Sequence, residues 1–262
     1  MDPTYSTYLR LDELLSLQRP RSRGPAHDEM LFIVIHQAYE LWFKELLHEL
    51  DYLGVLLEGN KRPEAQFTLR RVVSIVRLLV SQMDVLETLT PRQFLGFRDA
   101  LGSASGFQSV QFRELEFVLG HKRREVVEKF PEGSRGRARL EERYFGKTLW
   151  DCFLRCLAGD HAVPAKCLER DFTQPVRPSS EVQGILLETY AQKPDLAYVC
   201  ELLVDLDEAV QQWRYRHVKM VERVLGAKPG TGGSTGVEYL KSTLFVRGFP
   251  DLWEIRTRFQ RP

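Results

Sequence analysis

The chain has 262 residues, enough to bury one substantial hydrophobic core and to form one domain or at most two. Its 37 Lys and Arg against 36 Asp and Glu leave a formal charge of +1, so no overall basic field recommends a nucleic acid or an anionic membrane surface, and a small-molecule partner is expected. Glu, Lys or Arg interrupts every apolar run before it reaches the length of a bilayer, which predicts a soluble protein. The 4 cysteines include no Cys-x-x-Cys pair, and no leader-like stretch precedes Tyr5, so free thiols in a reducing cytoplasm are expected. Cys152 and Cys156 stand one helical turn apart, but no second close pair completes a tetrahedral zinc set.

From Asp28 to Leu57 the apolar residues Leu31, Ile35, Tyr39, Trp42, Leu46, Leu50 and Leu53 recur at helical spacing, with Asp28 as N-cap and Gly59-Asn60 as the stop. A second amphipathic helix is predicted from Glu64 to Glu87, and Pro91 starts a short helix reaching about Leu101. Ser103 to Gly106 separates it from another periodic run, Phe107 to Leu119. Residues 120–138 are rich in Gly, Ser and Arg and read as an exposed connection, with Arg123, Arg124, Arg135, Arg137 and Arg139 on a solvated face.

Further helices are predicted from Leu140 to Leu157, Ser180 to Gln192 and Pro194 to Leu225, with a Pro-rich break at 174–178. Along the last of these, Leu202, Leu206, Ala209, Trp213, His217, Met220 and Val224 recur every three or four residues, so Trp213 and His217 point the same way. Thr235 and Glu238 have the spacing of a capping box for a final helix. No stretch alternates as a strand would, which makes the fold class all-α.

Two histidines, His36 and His217, fall in the apolar stripes of long helices among aromatic residues. A neutral imidazole in that setting needs a hydrogen-bond partner or a metal, and each position admits both a satisfied packing histidine and a ligand. Around His217, cations crowd one helix face while aromatic and sulfur side chains line the other, which suits an iron porphyrin held without a covalent link. His36 lies between Phe32 and Tyr39-Trp42-Phe43, where an aromatic ligand could stack and hydrogen-bond. Arg98 follows an aromatic pair and could fork onto a carboxylate or form a surface ion pair with Asp99 or Glu40. The Gly-rich stretch at 230–236 lacks the lysine of a phosphate loop and reads as a mobile or closely approaching backbone, or as a plain helix-terminating loop.

Several motifs carry a family resemblance. They are Tyr-Ser-Thr-Tyr-Leu at 5–9, His-Asp-Glu-Met-Leu-Phe-Ile-Val-Ile-His-Gln-Ala-Tyr-Glu-Leu-Trp-Phe-Lys at 27–44, Phe-Arg-Asp at 97–99, Ser-Gly-Phe-Gln-Ser at 105–109, Trp-Arg-Tyr-Arg-His at 213–217 and Gly-Thr-Gly-Gly-Ser at 230–234. They span nearly the whole chain, which resembles the tryptophan 2,3-dioxygenase family in its compact bacterial form. The resemblance implies a helical bundle enclosing a b-type heme, one domain over residues 1–262, and a homotetramer (dimer of dimers) in which residues 1–20 contribute to a neighbouring subunit.

It further implies dioxygen insertion across the indole C2–C3 bond of L-tryptophan to give N-formylkynurenine, the first step of tryptophan catabolism through kynurenine. His217 becomes the proximal iron ligand and His36 the distal, catalytic histidine that meets the indole N–H. Phe32, Ile33, Val34, Ile35, Phe94 and Leu101 would wall the substrate pocket, and Arg98 would bind the substrate carboxylate. Thr231 would meet the substrate's ammonium and carboxylate side, and Tyr5, Tyr8 and Leu9 would act in trans. Ser105 and Gly106 would approach the heme, Arg113 and Trp213 would border its propionates, and Tyr239 would stand nearby. Two other outcomes stay open on the same scaffold: a heme monooxygenase of a substituted tryptophan giving an oxindole-type product, and a non-catalytic heme or oxygen sensor.

Overall fold

The computed structural model describes residues 2–24, 26–226 and 237–259. Two short helices, α1 (Tyr5–Leu9) and α2 (Leu11–Leu14), precede the long α3 (Asp28–Glu58) and α4 (Arg62–Leu86). Next come α5 (Pro91–Leu95), a 3-10 turn at Arg98–Leu101, a second at Gly106–Gln108, and α6 (Val110–Val118). The chain continues through α7 (Arg124–Glu128), α8 (Arg135–Phe145), α9 (Leu149–Leu157), α10 (Ala165–Leu168), α11 (Ser180–Gln192) and the long α12 (Pro194–Leu225). It ends in α13 (Val237–Ser242), α14 (Pro250–Glu254) and a 3-10 turn at Ile255–Arg258. Among the described residues there is no strand, and no helix is long and apolar enough to cross a membrane.

The core forms around α4, which packs against both α3 and α12, with α6, α9, α11 and α14 closing it. Burial of Tyr39, Phe43, Leu46, Leu50, Leu53 and Leu57 on α3 and of Leu69, Val72, Val76, Leu79 and Met83 on α4 follows the predicted stripes. Tyr39 donates to the Leu79 carbonyl at 2.8 Å, so its buried hydroxyl is satisfied. Helix α3 begins at Asp28 itself, with His27 in the cap position, and stops at Gly59, after which Asn60 takes a positive φ.

Four sequence expectations are corrected. Residues 120–138 are not merely an exposed connection: α7 lies inside them, and its Val126 and Val127 are buried against Phe117 and Leu140 in a small second core. Two adjacent valines are too few to register as a periodic stripe. Nor are the arginines there a purely solvated face, since Arg123 and Arg139 pair with the buried carboxylates of Glu116 and Glu114. The predicted helix from Leu140 to Leu157 is two helices, broken at Gly146 and restarted where Thr148 and Asp151 form a capping box. Similarly, the run from Pro91 to Leu101 is α5 followed by a 3-10 turn rather than one helix.

Candidate active site

Between α3, α5, α6 and α12 lies a cavity of about 310 Å³, within the range of small-molecule sites. Helix geometry decides which side chains reach it. Phe32, His36, Tyr39, Glu40 and Phe43 share one face of α3 and line it. The predicted site residues Ile33, Val34 and Ile35 do not: Ile35 turns into the main core and Val34 is exposed on the outer face. One helical step rotates a side chain by about 100°, so a run of four cannot face one ligand.

His36 and Phe32 form a unit. The His36 Nδ1 lies 2.7 Å from the Phe32 carbonyl one turn earlier, and because a carbonyl can only accept, Nδ1 carries the proton and Nε2 keeps its lone pair. The two rings also touch, with centroids 4.0 Å apart. Although the ring presents accessible surface, that surface borders the cavity, and burial pushes its pKa down despite the Phe32 carbonyl and Glu40, which favour the charged form. Phe94 continues the wall and Phe97 backs it, their rings 5.9 and 5.3 Å from Phe32. Arg98 and Leu101, on the 3-10 turn after α5, line the same region.

On the opposite helix, His217 stacks on Trp213, with ring centroids 5.2 Å apart and planes within 10°. Among the described residues its ring makes no hydrogen bond. Burial, His36 and Arg113 together push its pKa down to about 4, so at neutral pH it is an uncharged imidazole with a free lone pair, the form a metal requires. Trp213 packs on Phe112 at 4.9 Å. Its buried Nε1 has no aligned acceptor among the described residues, although the Tyr39 hydroxyl is near enough to feel it.

Ser105 and Gly106 line the cavity at the start of the 3-10 turn that precedes α6, with the Ser105 hydroxyl accepting from the Phe107 N–H at 3.2 Å. A Cβ added at Gly106 would meet nothing within 4 Å. Arg113 also lines the cavity, 5% exposed, its guanidinium 4.4 Å from the Phe107 ring centroid. Tyr5, Tyr8 and Leu9 are exposed and lie off the cavity of their own chain. Thr231, the Thr235 half of the predicted capping box and the Tyr239 side chain lie outside the described residues.

The sequence reading missed two cavity residues of consequence, Glu116 and Arg214. Glu116 stands three residues after Arg113, a visible ion-pair spacing, whereas its reach to Arg214, 98 positions on, left no local signal.

The architecture is that of an all-α protein with two uncharged imidazoles facing one aromatic-walled cavity. The chain belongs to the tryptophan 2,3-dioxygenase family, whose model matches residues 2–137 and 165–259. It is 55% identical over 254 residues to the tryptophan 2,3-dioxygenase of Herpetosiphon aurantiacus, covering 97% of each chain. Identity to that of Anaeromyxobacter sp. (strain K) is 52% over 253 residues, covering 97% of this chain and 95% of the relative. With that of Caulobacter vibrioides it is 45% over 261 residues and 98% of each chain. Members of this family are heme-dependent and use dioxygen as co-substrate.

Proposed function

We propose that this chain binds heme b through His217 and inserts dioxygen across the indole C2–C3 bond of L-tryptophan, giving N-formylkynurenine. One observation carries the reading: His36 and His217 face the same cavity, one with its tautomer fixed by a backbone carbonyl and the other with no hydrogen-bond partner among the described residues. The residues present suit a heme. His217 would hold the iron as a neutral imidazole, Arg113 supplies positive charge at the cavity wall, and Gly106 leaves room beside the backbone where a side chain would otherwise project. When bound, the heme supplies the oxygen-activating chemistry that no side chain possesses.

The chain's own residues position the amino acid. Nε2 of His36 accepts the indole N–H, because Nδ1 is already committed to the Phe32 carbonyl. The indole N–H is a very weak acid, so steering the ring suffices and His36 need not remove its proton. Phe32, Phe94 and Leu101 exclude water around the indole, and the Arg98 guanidinium grips the substrate carboxylate with two parallel hydrogen bonds. Thr231 meets the ammonium and carboxylate side. Trp213 buttresses His217 by stacking.

The same reading makes residues 1–262 one domain and the protein a cytoplasmic homotetramer, a dimer of dimers, in which exposed Tyr5, Tyr8 and Leu9 cover a neighbouring cavity. Product mass after turnover of L-tryptophan under ¹⁸O₂ with reductant tests the reaction. N-formylkynurenine carrying both labelled atoms is expected. A product with one label, or no consumption of tryptophan, would overturn it in favour of a monooxygenase or a sensor.

A further inference from the structure

One buried charged group neither binds the substrate nor serves as the iron ligand. Glu116 on α6 is 4% exposed and lines the cavity. Its Oε2 accepts from Arg113 Nη1 at 2.7 Å and from Arg123 Nη2 at 2.9 Å, while Oε1 accepts from Arg214 Nη2 at 3.1 Å. Arg113 and Arg214 are themselves 5% and 6% exposed. Asp207 acts on Arg214 through space, but its carboxylate is taken by the Gly248 N–H and by Trp253 Nε1.

His121, also against this cluster, is held neutral, its pKa pushed to about 3 by burial and by Arg214. Of the three guanidiniums on Glu116, Arg113 and Arg214 are buried, whereas Arg123 is 24% exposed. A buried guanidinium that keeps an unused donor suits an anionic partner. Both buried guanidiniums line the cavity, where Arg113 Nη2 has no acceptor among the described residues.

The cluster is also coupled to His217. Arg214 lies three residues before His217 on α12 and donates its other arm to the Thr243 carbonyl at 2.8 Å. The Arg113 guanidinium sits 5.2 Å from the Phe112 ring, which packs on Trp213, which in turn stacks on His217.

We propose that Glu116 is a positioning residue: it clamps Arg113 and Arg214 into a fixed cationic edge that receives the porphyrin carboxylates and ties that edge to the turn of α12 carrying His217. This inference rests on the cavity being the heme pocket. The test loads wild type and Glu116→Gln with heme b and, separately, with its dimethyl ester, which keeps the ring and iron but blocks both carboxylates. Release to excess apomyoglobin is then timed, alongside the melting temperature of each protein.

From wild type the ester should leave about tenfold faster than heme, the scale of one charge-assisted hydrogen bond. From Glu116→Gln, heme itself should leave about tenfold faster, and the difference between heme and ester should shrink towards none. Wild-type release rates and an undiminished ester effect in Glu116→Gln, with or without a lowered melting temperature, would overturn the proposal. Should that variant not fold, Arg214→Lys is measured in its place, because an ammonium cannot span Glu116 and the Thr243 carbonyl as the guanidinium does. A wild type with no His217-dependent heme spectrum sinks the pocket itself; equal release of heme and ester from a wild type that has one sinks only the cationic edge.

Discussion

His36 and His217 lie on the two longest helices, α3 and α12, each one turn after an aromatic residue, and their rings are held in contrasting ways. At His36 the residue four positions back lends its carbonyl, which fixes the tautomer and leaves Nε2 as an acceptor. At His217 it lends its ring instead, so the imidazole is oriented by stacking while neither nitrogen is engaged among the described residues. The same residue type on the same element thus becomes either a fixed acceptor or an unoccupied ligand, according to which part of the preceding turn it engages. Burial keeps both uncharged by lowering their pKa values.

The contrast is broken most severely at His217. Replacing it with Ala should cut heme affinity by more than about 100-fold, beyond the loss typical when only a supporting partner of a metal ligand is removed; heme content of the purified variant checks this. Arg98→Lys should raise the KM for tryptophan about tenfold to 100-fold with a smaller change in kcat, because a point ammonium cannot reproduce a forked contact. Unchanged saturation by tryptophan would contradict the carboxylate role. His36→Ala should lower kcat/KM by up to about tenfold, one neutral hydrogen bond's worth, while heme content stays near wild type.

The smallest effect is on stability. The folded His217 pKa of about 4 lies below the ordinary histidine value of 6.5, so the unfolded chain binds more protons between them. Stabilisation from the neutral ring is therefore complete above about pH 6.5 and is lost as pH falls towards 4, with a slope of up to about 1.4 kcal/mol per pH unit. His121, pushed to about 3, adds to the slope with the same sign. Denaturant titrations of the heme-free protein should show a shallower fall in His217→Gln than in wild type, and an identical slope would contradict the assignment.

What the sequence made legible was whatever lies on a long period. The stripes of α3, α4 and α12 fixed these helices to within about two residues, and the shared direction of Trp213 and His217 appears as stacked rings. The local pattern singled out Arg98, and motif resemblance supplied Ser105, Gly106 and Arg113; all four line the cavity. It also supplied Ile33, Val34 and Ile35, because a contiguous motif does not distinguish the faces of the helix that carries it.

Short elements were lost for the opposite reason. Helix α7 spans five residues and buries only Val126 and Val127, leaving no period to read. The break before α9 was marked by Gly146 and by the Thr148-to-Asp151 spacing, signals that the apolar run on either side obscured. Glu116 was missed although its spacing from Arg113 is visible, because its contact with Arg214, 98 positions on, exists only in the folded chain.

The direct test of the whole account is the ferrous heme spectrum of His217→Gly with and without added imidazole. A histidine-ligated spectrum that vanishes in the variant and returns when free imidazole fills the space beside Trp213 is the predicted result. A variant whose spectrum matches wild type without imidazole would show that the iron is held elsewhere, and would contradict the assignment of the two faces.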